Sequence, residues 1–169
     1  MSPIDWATRP LKKYADFTGR APRAEYWWFY LGMIVAYLVA MIIDSLVGVS
    51  LFGPYGVVTC LLGLALIVPG LAVTARRLHD TNRSAWWMLL VLVPYFIMGI
   101  MMGMSAASGD TTGLASAGIV GLIALAGAIA MLVFLILPGT KGDNRFGPDP
   151  YAGEAASTAV ASNIKVRRR

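Results

Sequence analysis

The stretch Tyr26-Trp27-Trp28-Phe29-Tyr30-Leu31-Gly32-Met33-Ile34-Val35-Ala36-Tyr37-Leu38-Val39-Ala40-Met41-Ile42-Ile43 runs for 18 residues without a charged side chain. A helix of that length, at about 1.5 Å per residue, approaches the roughly 30 Å of a bilayer's hydrocarbon core. Three further uncharged stretches follow: Val57 to Ala75, Ala85 to Met104 and Leu114 to Leu137, of 19, 20 and 24 residues. The fourth is rich in Gly and Ala, yet it holds 13 Leu, Ile, Val or Phe. These are worth roughly −4 to −8 kcal/mol of insertion free energy at about −0.3 to −0.6 each. The pattern predicts an all-α, polytopic membrane protein with four transmembrane helices. The first span is expected to remain as an anchor, because 25 residues precede it and no cleavage-like site of small residues follows.

Composition agrees. Of 169 residues, 57% are hydrophobic and 14% charged, and the mean hydropathy is +0.66, leaving too little polar surface for a water-soluble globule. Nine acids, one His and one Cys leave few groups for acid–base, metal or thiol chemistry, so the reading is of a protein that is not an enzyme and carries no metal or cofactor.

The cations fix an expected topology. Arg9, Lys12, Lys13, Arg20 and Arg23 precede the first span; Arg76, Arg77 and Arg83 join the second to the third; Lys141, Arg145, Lys165 and Arg167 to Arg169 follow the fourth. The opposite loops carry only Asp44 and Asp110. By the positive-inside rule both termini are expected in the cytoplasm. The charge asymmetry accounts for the basic composition without a nucleic-acid partner. Trp6, Trp27, Trp28, Trp86 and Trp87 lie near that same face, where indoles anchor helices at the headgroup level. Pro10 to Thr18 places Leu11, Tyr14 and Phe17 at helical spacing before Gly19, predicting a short helix in the interface. Residues 1–151 read as one membrane domain and 152–169 as a flexible basic cytoplasmic tail.

Three polar motifs flank the uncharged stretches. They are Tyr14-Ala15-Asp16-Phe17-Thr18-Gly19-Arg20-Ala21-Pro22-Arg23-Ala24-Glu25-Tyr26-Trp27-Trp28, Ala75-Arg76-Arg77-Leu78-His79-Asp80-Thr81-Asn82-Arg83-Ser84-Ala85-Trp86-Trp87, and Pro138-Gly139-Thr140-Lys141-Gly142-Asp143-Asn144-Arg145-Phe146-Gly147-Pro148-Asp149-Pro150. Arg23 to Trp28 echoes Arg83 to Trp87, and Asp80-Thr81-Asn82-Arg83 echoes Asp143-Asn144-Arg145, which reads either as a duplicated two-helix unit or as chance. The ordered set, over about residues 11 to 151, resembles the DUF805 family of small bacterial inner-membrane proteins with a domain of unknown function. Ala85 departs from the glycine usual there. The resemblance implies a bacterial inner membrane and a four-helix domain, and supplies no activity.

The predicted topology brings the motifs to one end of the bundle. The candidate site is a rim of Arg20, Arg23, Glu25, Arg76, Arg77, His79, Asp80, Asn82, Arg83, Asn144, Arg145 and Asp149. Asp80 is three residues from Arg77 and four from Arg76, so it can pair with either. One reading is a salt-bridged cap that fixes the loops. The other leaves guanidinium groups for an anion such as the phosphate of a lipid headgroup, which Arg binds bidentately. A His79–Asp80 catalytic pair lacks a nucleophile in a recognisable setting, Cys60 lying within the second span.

The spans hold no ionisable residue of the kind that coupled transporters use. Pro69 and Pro94 each strand a carbonyl, at Ala65 and Leu90, at similar depth. They read as packing kinks, or as the walls of a shared cavity in a homo-oligomeric carrier or channel. Gly99 and Gly103 form G-x-x-x-G, and Ala117 with Gly121, Ala124 with Ala128 and Ala126 with Ala130 give further small pairs, suited to packing within the bundle or in a homo-oligomer. The reading is of a non-catalytic inner-membrane protein that binds anionic lipid headgroups, or a protein partner, through its basic rim.

Overall fold

A computed structural model of the chain describes residues 1–48, 51, 55–109 and 112–152. The order is α1 (Pro3–Lys12), α2 (Arg23–Val47), α3 (Val57–Asp80), a 3₁₀ turn (Ala85–Met88) leading into α4 (Leu89–Ser108), and α5 (Thr112–Ile136). Four of these are long and apolar enough to cross a membrane: Arg23–Val47, Val57–Asp80, Ala85–Ser108 and Ser116–Ile136. The described residues contain no strand; Asn144 and Gly147 form an isolated bridge. The predicted tail lies, from residue 153 on, outside the described residues, as does Asp110.

The helices outrun the uncharged stretches because a charge at a helix end does not stop the backbone hydrogen-bond ladder. α2 takes in Arg23 and Glu25 at its start and Asp44 near its end, and stops at Gly48, whose φ of 73° is left-handed. α3 continues five residues past Ala75 and closes on a Schellman turn. The amide of Asn82, at φ 58°, donates to His79 O at 2.9 Å and that of Arg83 to Leu78 O at 2.9 Å, the pairing expected when C′ is left-handed.

The short N-terminal helix is displaced from the predicted Pro10–Thr18. Ser2 caps α1 in a full capping box: its hydroxyl accepts from the Asp5 amide at 3.1 Å while the Asp5 carboxylate accepts from the Ser2 amide at 2.8 Å, with Pro3 in the first turn. These start signals outweigh the Leu11/Tyr14/Phe17 spacing. Past Lys12 the chain turns, and the Asp16 carboxylate accepts from the Thr18 amide and hydroxyl at 3.0 and 2.6 Å, an alternative to helix that Asp favours.

The bundle consists of two hairpins. α2 packs on α3 with α1 laid across both, and α4 packs on α5; α3 joins them through α5 and the 3₁₀ turn. Asp44 fastens the first hairpin at its far end by accepting from the amides of Gly56, Val58 and Thr59 at 3.1, 2.9 and 2.9 Å. A carboxylate from one span thereby caps the next, at the end where the helix dipole favours an anion. In the second hairpin Gly127 sits against Leu90 so closely that a Cβ there would lie 2.5 Å from Leu90 O. Gly99 and Gly103 have open space where a Cβ would stand. Most large apolar side chains of the spans face outward, among them Leu38, Leu64, Phe96 and Leu122, and the buried cluster of Ala21, Tyr26, Phe29, Val73 and Leu135 lies near the basic end.

Candidate functional site

At the basic end α2 begins, α3 ends, and the segment following α5 folds back over both. The last turn of α3 carries Arg76, Arg77, His79 and Asp80, and a helical turn sends those side chains in different directions. Arg77 and Asp80, three apart, meet as an ion pair. Arg20 approaches Asp80 from the other side, with Nε and Nη2 each 3.0 Å from Oδ1. Its Nη1 donates to Gly142 O at 2.6 Å and Nη2 to Thr140 O at 2.5 Å. Arg77 spends its other donors on carbonyls at and just past the end of α5, Leu135 O at 3.1 Å and Leu137 O. The Thr140 amide returns to Asp80 O at 2.8 Å. A Cβ at Gly139 would lie 2.2 Å from Asp80 Oδ2, so only glycine admits the carboxylate there.

A second cluster stands beside it. Arg76, which the sequence offered as an Asp80 partner, turns instead to Glu25: Nη2 to Oε1 is 2.9 Å. Arg9 of α1 reaches Glu25 Oε2 at 3.4 Å. Arg76 also donates to Asp16 O, and its own carbonyl accepts from the Ala21 amide at 3.0 Å. Glu25 and Asp80 are therefore each bracketed by two arginines. Arg76, Arg77, Glu25 and Asp80 are at most 1% exposed. A charge so buried costs several kcal/mol in desolvation unless it is paired and hydrogen-bonded; here each of the two acids has two arginine partners and each of these two arginines an acid.

The remaining predicted residues sort by role. Asn144 knits the loops: its Nδ2 donates to His79 O and Thr140 Oγ1, both at 2.9 Å. The His79 ring stacks on Phe146 at 4.0 Å, with Nδ1 3.1 Å from Gly19 O. The Asp80 carboxylate faces arginines, so the His79–Asp80 pair considered from sequence is not formed. Asn82 supplies a backbone turn. Arg83 lies over the Phe134 ring at 4.2 Å. Arg145, exposed, lies 4.6 Å over the ring of Phe146 and reaches Asn82 O at 3.3 Å. The Asp149 carboxylate accepts from the amides of Tyr151 and Gly142, at 2.9 Å each, which hold it below its ordinary value of 3.8. Trp27, Trp28, Trp86 and Trp87 point outward around the same end.

Beside the Asp80 cluster opens a cleft of about 330 Å³, lined by Arg20, Arg23, Asp80, Thr140, Lys141 and Asp149 among others. Arg23 is exposed at its edge, its Nε 3.3 Å from Leu137 O, and Lys141 is exposed. Sequence reasoning missed Arg9, Asp16, Gly139, Thr140 and Lys141. Pro138-Gly139-Thr140 right after an apolar span was the one available signal, a turn in which glycine permits a close approach.

The carbonyls that the two proline kinks strand are both covered within the protein. The Ala65 carbonyl that Pro69 strands accepts from the Tyr14 hydroxyl at 2.6 Å. The Leu90 carbonyl stranded by Pro94 is covered by Gly127. A cavity of about 320 Å³ does lie between the hairpins, toward the basic end from the kinks, lined by Tyr26, Tyr30, Thr74, Leu92, Met131 and Leu132 among others and by neither proline.

Residues 14–148 match the family described as "Protein of unknown function (DUF805)". The chain is 37% identical over 147 residues to "Inner membrane protein YhaH" of Escherichia coli K12, covering 87% of this chain and 97% of that protein. It is 34% identical over 150 residues to "Inner membrane protein YhaI" of the same organism, covering 89% and 98%. It is 31% identical over 135 residues to "Uncharacterized protein YiiR", covering 79% and 85%. No solved structure matches. With four spans and a match over most of its length, the chain belongs to the DUF805 family and is a multi-pass protein of the inner membrane.

Proposed function

We propose that the basic end faces the cytoplasm and that its cleft binds an anionic phosphate headgroup, a non-catalytic role. The supporting observation is a division of labour among the cations. Arg20, Arg76 and Arg77 are buried and committed to Asp80 and Glu25, whereas Arg23 and Lys141 stand exposed at one cleft. The acids lining that cleft are occupied, Asp80 by two arginines and Asp149 by two amides. An incoming phosphate thus meets cations with donors to offer and carboxylates already neutralised or hydrogen-bonded.

The setting of α1 supports a place for it in the membrane interface at this end. The Cβ of Ala7 lies 3.7 Å from where a Cβ on Gly32 would stand. Gly32 is four to five residues past Trp27 and Trp28, or about 7 Å deeper along α2. A helix lying in a membrane interface sinks about 5 to 10 Å. Met1, Ile4, Leu11, Tyr14 and Phe17 are exposed on this segment, apolar surface suited to hydrocarbon, with Lys12 and Lys13 close by.

Native mass spectrometry of protein released from mild detergent tests the reading. Wild type is expected to retain phosphatidylglycerol, and Arg23→Gln with Lys141→Gln to retain about tenfold less at unchanged melting temperature. Equal retention by the folded double variant would refute it.

A further inference from the structure

The cleft and the cavity are stacked along the same three helices. On α2, Arg23 lines the cleft, and Tyr26 and Tyr30, three and seven positions on and so on the same face, line the cavity. On α3, Asp80 lines the cleft and Thr74 the cavity; after and along α5, Pro138 lines the cleft and Leu135 and Met131 the cavity. Offsets of three to seven residues correspond to about 5 to 10 Å along the helix axes.

The two hollows differ in chemistry. No charged residue lines the cavity. Thr74 Oγ1 donates to Gly70 O at 2.7 Å, so its 3.0 Å contact with Tyr30 is a hydrogen bond from the phenol, and these hydroxyls are satisfied within the protein. Leu92 and Leu132 line the cavity and are also 45% and 47% exposed on the flank of the bundle, where a spanning protein meets hydrocarbon. At about 320 Å³ the cavity is within the roughly 300 to 1,000 Å³ of ligand sites.

We propose that cleft and cavity form one site for a single membrane phospholipid, with the anionic head between Arg23 and Lys141 and one acyl chain in the cavity. This rests on the headgroup reading above and sets a membrane lipid against a free phosphate ester as the occupant. An apolar hollow left empty forfeits dispersion contacts along its whole lining. A chain entering from the flank at Leu92 and Leu132 fills it while its headgroup stays at the level of Arg23. A free phosphate ester fills only the cleft.

The test uses the full chain in vesicles containing phosphatidylglycerol with a diazirine in mid-chain. After irradiation, adducts are mapped by mass spectrometry. Met131 and Val91, in the cavity lining, are expected to be labelled about tenfold above Leu122 and Ile129, which face outward, for a site that holds its ligand against bulk lipid. Unlabelled phosphatidylglycerol should displace that label, phosphatidylcholine and glycerol 3-phosphate should not, and Arg23→Gln with Lys141→Gln should abolish the enrichment. Equal labelling of Met131 and Leu122, or displacement by glycerol 3-phosphate, would overturn the proposal. Retention of phosphatidylglycerol by native mass spectrometry, lost in the double variant, would in that event leave the headgroup reading standing. Absence of both signals would remove both.

Discussion

The Tyr14 hydroxyl donates at 2.6 Å to the Ala65 carbonyl, the group that Pro69, lacking an amide hydrogen, leaves without its helical donor. A residue ahead of the first span thus completes the backbone of the second. Tyr14→Phe keeps the ring and removes the donor. It is expected to cost about 1 kcal/mol, typical of polar contacts within membrane proteins, and to lower the melting temperature by about 2 to 4 °C, measured in detergent. An unchanged melting temperature would mean that the carbonyl is equally well served without the phenol.

Glycines of opposite character make a paired prediction. Gly139→Ala drives a Cβ into Asp80 Oδ2 and separates the carboxylate from its arginines, at an expected cost of about 3 to 5 kcal/mol for a broken buried pair. Gly99→Ala, with nothing near, should be neutral or stabilise by up to about 1 kcal/mol through helix propensity. Thermal unfolding of both should separate them widely; similar values would contradict the packing at Gly139.

Asp80→Asn removes the charge that Arg20 and Arg77 share. Single and double variants of Arg20 and Asp80 should be strongly non-additive. Arg20→Gln is expected to cost about 3 kcal/mol or more in wild type and less in the Asp80→Asn background, a coupling that a double-mutant cycle reads directly. Additive losses would show that the pair contributes no mutual interaction.

The Asp16 carboxyl is held below its ordinary value of 3.8 by the Thr18 hydroxyl and then the Thr18 amide. A carboxyl whose folded value is depressed adds stability above its unfolded value and loses it as pH falls through the folded value. The melting temperature should therefore hold steady near neutrality and decline below about pH 4. Thr18→Val should lower it at neutral pH and narrow the gap between neutral and acid values. A gap of unchanged width would dissociate Asp16 from the acid response.

The orientation is checked by reporters. A fluorescent protein fused after Arg169 should fold in the cytoplasm and glow, and a cysteine at Ser45 should react with impermeant thiol reagents from the periplasmic side. The reverse pattern would place the basic end outside and remove the proposed orientation.

The spans were legible because hydropathy is a local property, written in consecutive residues. The convergence of the rim was legible too, since alternating spans return the three motifs to one end. Its internal sorting was not. Arg76 and Arg77 are neighbours of identical type, and what sends one to Glu25 and the other to Asp80 is which segments fold over the end of α3: Ala21 onto Arg76 O and Thr140 onto Asp80 O. Those are contacts across some 55 to 60 residues, invisible to spacing. Likewise, the apolar spacing after Pro10 suggested a helix, whereas the capping box at Ser2 and Asp5 set its true start.

Asp80 receives Arg20 from 60 residues earlier and Thr140 from 60 residues later. The head and the close of the membrane domain are therefore fastened to the same turn in its middle. During synthesis, Arg20 and Arg77 can neutralise Asp80 once α3 has emerged, but the donors of Arg77 meet the Leu135 and Leu137 carbonyls only when α5 is complete. The domain then closes as a ring in sequence, so that its last helix finishes the end of its second span.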